Sequence, residues 1–504
     1  MADAKRLAKN TLFMYARMIL IMIVSIYTSR VILDKLGVDN YGLYNAVASI
    51  VAMIAFLNAT LSTSTSRYLT FDLGEGDFNK LQQTFSTSFY THLFLAGVII
   101  VIMETVGLWY MSAKFVIPEG REYAIMVVYQ ISILTTVISV LQVPYTASII
   151  SHEDMNVYAY VGIFDAIARL LIVFLLKISP IDKLIFYAAL VAAVQIIVTI
   201  LYVYISHIKY NETHLVRHFN RETFRGMMGF TGWTAVANLS NSMKVQGSVL
   251  LLNLFYAPAI IAAKALADQI TNAVMMFVNN FRQALNPQII KSYAANNIDE
   301  FKQWSLRSTV VTFDLMLVLG LPCVATMKTI LRLWLVEVPE LAVEFTQLAI
   351  LSQILLTFSS STYIPFVASG KLKLNAICGV FTGFGYFIVL YILFKVGCGA
   401  LWVQWLYILL AIVTVLFLQP YLLHKEIGFS YSEVFGCLWD CIKVLILAGT
   451  LSYVLTLFFN ETLLHQALLF MLAFFITCIS VWIFLEKPMR SYLFNLVKSI
   501  LNRK

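Results

Sequence analysis

Charge is what this sequence has least of. Only 12% of its 504 residues are Asp, Glu, Lys or Arg, where a soluble chain carries about 25%. No stretch is long and polar enough to fold as a separate soluble domain. Cysteine is sparse as well: Cys323, Cys378, Cys398, Cys437, Cys441 and Cys478 all fall in the second half, and none forms a C-x-x-C pair. A disulfide framework and a thiolate metal set are therefore excluded, and the six read as buried small apolar residues. There is no Gly-x-x-x-x-Gly-Lys-Ser/Thr phosphate loop, so no nucleotide hydrolysis is built in. His92 is the one histidine in the interior of an apolar run, with His465 at the edge of the last, and a lone histidine makes no catalytic triad. These absences argue against an enzyme and imply no cofactor and no metal. The basic residues are scattered over short connections, which argues against nucleic-acid binding.

What is present is apolar length. The chain is 60% hydrophobic, and a hydrocarbon layer about 30 Å thick is crossed by roughly 20 apolar residues in a helix. Runs of that length recur as fourteen segments, near 12–33, 41–62, 86–110, 123–147, 157–177, 184–206, 229–255, 259–281, 307–327, 341–364, 374–396, 400–422, 440–459 and 465–485. The expected fold is an all-α polytopic membrane protein. The first run is too long for a cleavable signal and lacks a small-x-small site, so it reads as an uncleaved span. Most of the 35 basic residues fall on the side of the N-terminus, which places both termini in the cytoplasm and the +8 net charge against anionic lipid headgroups. The central connection (His207 to Arg225) and the tail (487–504) mix basic with apolar residues and suit amphipathic helices on the inner leaflet.

The chain also repeats itself. Val143-Pro144-Tyr145-Thr146-Ala147-Ser148 ends the fourth segment, and Ile364-Pro365-Phe366-Val367-Ala368-Ser369 ends the tenth. Asn156 then corresponds to Asn375, and Asp77-Phe78-Asn79-Lys80 resembles Asp299-Glu300-Phe301-Lys302. Shared apolar residues are expected of any two membrane helices; a shared Pro-aromatic-x-Ala-Ser is not. The offset spans six segments, an even number, so the copies enter the membrane in the same direction. The expected organisation is a six-helix bundle over 1–206, a linker over 207–228, a second six-helix bundle over 229–425, two further helices over 426–486, and the tail. Two such bundles with a cleft between them suit alternating access. Pro144 and Pro365 each remove a backbone hydrogen bond and read as matched hinges.

Charges inside the membrane cost on the order of 2.5–3.5 kcal/mol each on insertion scales, so each needs a reason. Six stand out: Arg17, Asp165, Arg169, Lys244, Lys264 and Asp268. Asp165 with Arg169, and Lys264 with Asp268, are four apart and share a helix face, as ion-coupling or charge-neutralising pairs. Arg17 and Lys244 have no acid in their own segment. Four cations against two anions favour an anionic guest. On the cytoplasmic side, the repeat aligns Glu153 and Asp154 with Lys371 and Lys373, and opposite charges there suit a gate.

One local pattern is more specific. Thr28-Ser29-Arg30-Val31-Ile32-Leu33-Asp34-Lys35-Leu36-Gly37 is followed by Tyr41-Gly42-Leu43-Tyr44, and Asn286-Pro287-Gln288-Ile289 follows the eighth segment. With fourteen segments and the six-plus-six repeat, the chain resembles the polysaccharide (O-antigen type) flippases of the multidrug, oligosaccharidyl-lipid and polysaccharide exporter superfamily. The resemblance implies export of an undecaprenyl-diphosphate-linked oligosaccharide across a bacterial inner membrane, with membrane lipids, a polysaccharide polymerase and glycosyltransferases as partners. It also implies Arg17 and Lys244, with Arg169 and Lys264, as contacts to the diphosphate or glycan. The alternatives are a cation-coupled multidrug antiporter or lipid II flippase of the same superfamily and, from another class, an integral-membrane polysaccharide polymerase or ligase. The short outside loops argue against the last.

Overall fold

A computed structural model describes residues 2–54, 56–217, 219–485 and 490; the side chains of 2–17, 56, 57, 59, 229–231, 233, 234, 237, 284 and 287 lie outside the description. The described residues are helices joined by short connections, with no strand among them. In chain order the helices are α1 (Ala2–Leu36), α2 (Val38–Ala52), α3 (Phe56–Glu75), α4 (Phe78–Ala113), α5 (Glu122–Ser151), α6 (Met155–Leu175), α7 (Lys183–Lys209), α8 (Arg221–Phe255), α9 (Pro258–Ala294), α10 (Ile298–Ala325), the short α11 (Met327–Trp334), α12 (Ala342–Ser369), α13 (Lys373–Lys395), α14 (Trp402–Ile427), α15 (Tyr431–Phe458) and α16 (Leu463–Phe484). Each of the fourteen apolar segments falls on one of these helices, the second being shared by α2 and α3. Ten are long and apolar enough to cross a membrane on length and hydropathy alone. The others are the first, second, fifth and seventh segments, three of which hold Arg17, Asp165 with Arg169, and Lys244.

Local chemistry sets the ends. Asp77, Asp182, Asn220 and Asn297 cap α4, α7, α8 and α10 with side-chain oxygens, and Ser430 with Glu433 forms a capping box on α15. Gly37 turns from α1 to α2 at φ 81°, a conformation open to glycine at little cost. The α4 helix carries a π turn over Met103–Gly107. Tyr129 of α5 donates its hydroxyl to the Met103 carbonyl at 2.7 Å, and its oxygen lies 2.1 Å from where a Cβ on Gly107 would stand. The wider turn thus accommodates an inserted tyrosine.

The helices gather into two compact units. One comprises Met1–Ala265, Leu335–Pro339 and Ala376–Ala400; the other comprises Leu266–Trp334, Glu340–Asn375 and Leu401–Lys504. In the first, α1 packs on α6, α5 on α7, and α3 against α5 and α8. There Gly42 of the Tyr-Gly-x-Tyr motif is required by space, because a Cβ would come within 2.0 Å of the Pro258 carbonyl oxygen. In the second, α10 is the hub, covered by α12, α15 and α16. Of the cysteines, Cys437 and Cys441 are buried, whereas the other four are half-buried; all six are free thiols.

The central connection departs from expectation. Among the described residues it holds no separate helix: α7 continues to Lys209, one tight turn covers Asn211–Thr213, and α8 starts at Arg221. The backbone between is stitched to α4 instead. Val216 N–H donates to Ser86 Oγ at 2.9 Å, Asn220 N–H to Thr87 Oγ1 at 3.0 Å, and Gln82 to the His214 carbonyl at 3.0 Å. Satisfied donors hold this segment where free amides would favour a further helix. The tail lies outside the described residues except Arg490.

Candidate functional site

The α8 helix presents a polar face at membrane depth. Asn238, Asn241 and Lys244 are spaced three apart and line one side of it; the two asparagines are exposed and Lys244 is half-buried. Neighbouring residues fix the helix in place. Asn238 Nδ2 donates to Thr60 Oγ1 at 2.9 Å, Ser240 Oγ bonds the Gly379 carbonyl of α13, and Ser242 Oγ donates to the Met53 carbonyl at 3.0 Å. That last carbonyl sits at the break between α2 and α3, where the helical ladder is interrupted and a side chain must replace the missing donor. No hydrogen bond or ion pair joins Lys244 to another described residue. An ammonium carried on this fixed helix, with no bonded partner among the described residues, is suited to an anionic or hydroxyl-rich guest.

A second cluster lies elsewhere in the same unit. Arg169 Nε donates to Asp165 Oδ1 at 2.9 Å, with the two side chains 40% and 31% exposed, so the pair is partly open. Tyr44 and Tyr187 stand within electrostatic reach of the guanidinium, their rings edge-to-face at 4.8 Å. Thus Tyr44, the last residue of the Tyr-Gly-x-Tyr motif, faces the charge pair. At the membrane end beyond it, Arg121 bonds Asp182 at 2.5 Å and also the Asn40 amide oxygen. Burial favours the neutral form of Asp182, but Arg121 and two backbone amides outweigh it and hold the carboxyl below its usual range.

The other sites stand apart. Lys264 is 3% exposed and Asp268 half-buried, and each has a partner of its own. Asp268 lies near Tyr407 of α14. Arg17 falls on α1, and its side chain lies outside the described residues. The structure therefore brings Asp165, Arg169, Tyr44 and Tyr187 together, sets Lys244 on a separate polar face, and leaves Lys264 and Asp268 on α9.

Two of the gate residues, Asp154 and Lys371, are engaged within their own units. Lys209 Nζ reaches Asp154 Oδ2 at 2.6 Å, and the Tyr210 hydroxyl donates to the same oxygen at 3.0 Å. Burial opposes ionisation of Asp154, yet these two bonds prevail and lower its pKa. Glu153 turns the chain at φ 56°. Lys371 Nζ donates to the Glu426 carbonyl at 2.6 Å, capping the end of α14 with a cation; Lys373 has a partner of its own. The two prolines differ. Pro144 lies inside an unbroken α5, whereas α12 is interrupted at Thr362 and Tyr363 just before Pro365.

Several polar groups escaped the sequence reading. Glu104 and Asp314 also lie inside apolar segments and reduce the cationic excess. Arg282, assigned to a connection by its sequence position, lies within α9 with its Nε buried and unpartnered, one turn from an unpartnered Asn286 oxygen. Glu212 is buried and accepts from Ser148 at 3.0 Å and pairs with His152 Nε2 at 2.7 Å. The lone acid in segment 307–327 was a signal visible in the sequence; the Glu212 clip was not, because its partners are some sixty residues away.

Among solved structures, the chain is similar to the lipid II flippase MurJ in an inward closed conformation, with 13% identity, a TM-score of 0.67, and coverage of 94% of this chain and 98% of that one. An inward-facing multidrug resistance MATE family transporter of the MOP superfamily gives 14% identity and a TM-score of 0.62 over 78% of this chain and 92% of that one. A MOP superfamily transporter from Pyrococcus furiosus, described as having a binding pocket of reversed polarity, gives 13% identity and a TM-score of 0.52 over 79% and 93%. No protein-family profile and no curated protein sequence matches. The shared fold is that of membrane transporters and flippases.

Proposed function

We propose that this chain is a flippase that moves an undecaprenyl-diphosphate-linked oligosaccharide from the inner to the outer leaflet of a bacterial inner membrane by alternating access, for O-antigen, capsule or exopolysaccharide assembly. The observation that carries the reading is the extent of the fold match. The lipid II flippase is matched over 94% of this chain, the multidrug transporter over 78%. A lipid-linked anionic substrate also accords with Lys244, whose ammonium has no bonded partner among the described residues and shares a face with two exposed amides. Polymerase and glycosyltransferase partners follow from that substrate class.

Deleting the gene should cause lipid-linked oligosaccharide to accumulate on the inner leaflet, and restoring the wild-type chain should clear it. Lipid II transport is the second reading, favoured by the same fold match. Rescue of cells depleted of their lipid II flippase, with no accumulated oligosaccharide in the deletion strain, would replace the first reading by the second.

A further inference from the structure

The last two helices, α15 and α16, lie outside the internal repeat, and with α10 they enclose a cavity of about 430 Å³, within the ~300–1,000 Å³ of small-ligand sites. Its polar lining is Gln303 and Arg307 of α10 with Ser432, Glu433 and Asp440 of α15, while Val310, Val311 and Phe484 form apolar wall. The walls are tied to one another. Lys302 Nζ meets Glu433 Oε2 at 3.3 Å, and Cys437 Sγ donates to the Leu306 carbonyl at 3.6 Å, both linking α10 to α15. Lys443 Nζ stands 5.4 Å from the centre of the Phe484 ring, which joins α15 to α16.

Depth and charge narrow what fits there. The apolar segments begin near 307 and 440 and end near 485, so Arg307, Asp440 and Leu485 mark one level, the boundary between headgroups and hydrocarbon. The bias of basic residues assigns that level to the cytoplasmic leaflet. Four cations line the cavity or are bonded to its walls. They are Arg307, Lys302, Lys443 at 2.7 Å from Asp440, and Arg490, whose guanidinium donates to the Leu485 carbonyl at 2.7 Å. Two carboxylates, Glu433 and Asp440, oppose them, which leaves an excess of positive charge. Arg307 has a partner of its own, but a guanidinium carries five donors. Glu433 takes Ser430 and Lys302 on Oε2, so Oε1 is open, among the described residues, to a hydroxyl donor.

We propose that this cavity is a specific site for an anionic phospholipid of the inner leaflet, of the phosphatidylglycerol type. The phosphate diester sits against Arg307. The headgroup hydroxyls donate to Glu433 and accept from Gln303 and Ser432, and the first acyl carbons follow Val310, Val311 and Phe484. Basic pockets between membrane helices at the cytoplasmic surface hold anionic headgroups by this chemistry. A zwitterionic headgroup would add an ammonium where cations are already in excess. The bound lipid joins the two helices outside the repeat to α10. The site stands independently of the transport reading above.

The test is native mass spectrometry of the delipidated full-length protein in detergent, with phosphatidylglycerol and phosphatidylethanolamine at equal concentration. One phosphatidylglycerol should stay bound at collision energies that strip phosphatidylethanolamine. Arg307→Gln should lower its occupancy at least fivefold, and Arg307→Lys should retain part of it. Gly436→Leu should also lower occupancy at least fivefold, because Gly436 lines the cavity and a Cβ there meets nothing within 4 Å, so the new side chain fills the space. Its melting temperature without lipid should match or exceed that of the wild type, while the rise that phosphatidylglycerol gives the wild type is lost. Lys291→Gln, on α9 and not part of the lining, should bind as the wild type does. Equal retention of the two lipids, wild-type occupancy in Arg307→Gln or Gly436→Leu, or an equal loss in Lys291→Gln would each overturn the proposal. Glycerol phosphate is the soluble probe: stabilisation by it as large as that by phosphatidylglycerol would assign the cavity to a free anion and overturn the lipid.

Discussion

Lys244 and Gly42 show how single residues carry this molecule in opposite ways. Lys244 has the chemistry of a contact residue: a charge at membrane depth, held on a fixed helix and unpaired among the described residues. Lys244→Ala should cut export several-fold at unchanged protein abundance, and Lys244→Arg should retain most of it; quantitative blotting beside the export assay separates the two quantities. If Lys244→Ala instead lowers abundance, the lysine supports folding. Gly42 acts by absence. With a Cβ 2.0 Å from the Pro258 carbonyl oxygen, Gly42→Ala must push α2 away from the start of α9. Overpacking of that kind costs about 1–3 kcal/mol, and a lowered melting temperature in detergent should report it. The Tyr-Gly-x-Tyr motif was visible in the sequence, but the reason for its glycine was not, since Pro258 is 216 residues further along the chain.

At the scale of elements, hydropathy located the long helices, though it merged α2 with α3 and passed over the short α11, because burial in lipid demands length and apolarity and little else. It did not reveal how polar side chains tie helices together. The break between α2 and α3 falls after Ala52 at Met53 and Ile54, with no Gly or Pro to mark it, and Ser242 from another helix satisfies the Met53 carbonyl there. The central connection was misread for the same reason: its partners on α4 are some 130 residues away. Its inner clip gives a pH prediction. Burial disfavours the charged form of Glu212, but His152, Ser148 and a backbone amide prevail and hold its pKa below the ordinary 4.5. A carboxyl with a lowered pKa in the folded state stabilises above its unfolded value and loses that contribution as pH falls through the folded one. Protection from hydrogen exchange over 210–217, taken relative to the intrinsic rate at each pH, should therefore be high at neutral pH and fall only below about pH 4.5. Glu212→Gln should exchange faster at pH 7 as well.

For the whole molecule, α15 and α16 are part of the second unit's core. They cover α10 and bury Asp314 and Cys441. A chain ending at Ile427 should accumulate several-fold less than the full chain, because it exposes a polar, Ser/Thr-rich face of α10 to lipid; blotting of membrane fractions decides. The gate charges predict independence. Asp154 is held by Lys209, and Lys371 by the end of α14, so Glu153→Lys with Asp154→Lys and Lys371→Glu with Lys373→Glu should impair export additively when combined; recovery in the combined variant would establish direct pairing. The repeat itself has one mechanical consequence. The sequence repeat sets a proline at matching positions, yet α5 continues unbroken through Pro144 while α12 is interrupted before Pro365. Bending stiffness is therefore shared unequally between two segments of common design, and the compliant one lies beside the lysines of the second copy. Amides 362–366 should take up deuterium sooner than amides 141–145, with the asymmetry residing in the backbone ladder and not in the proline the two copies share.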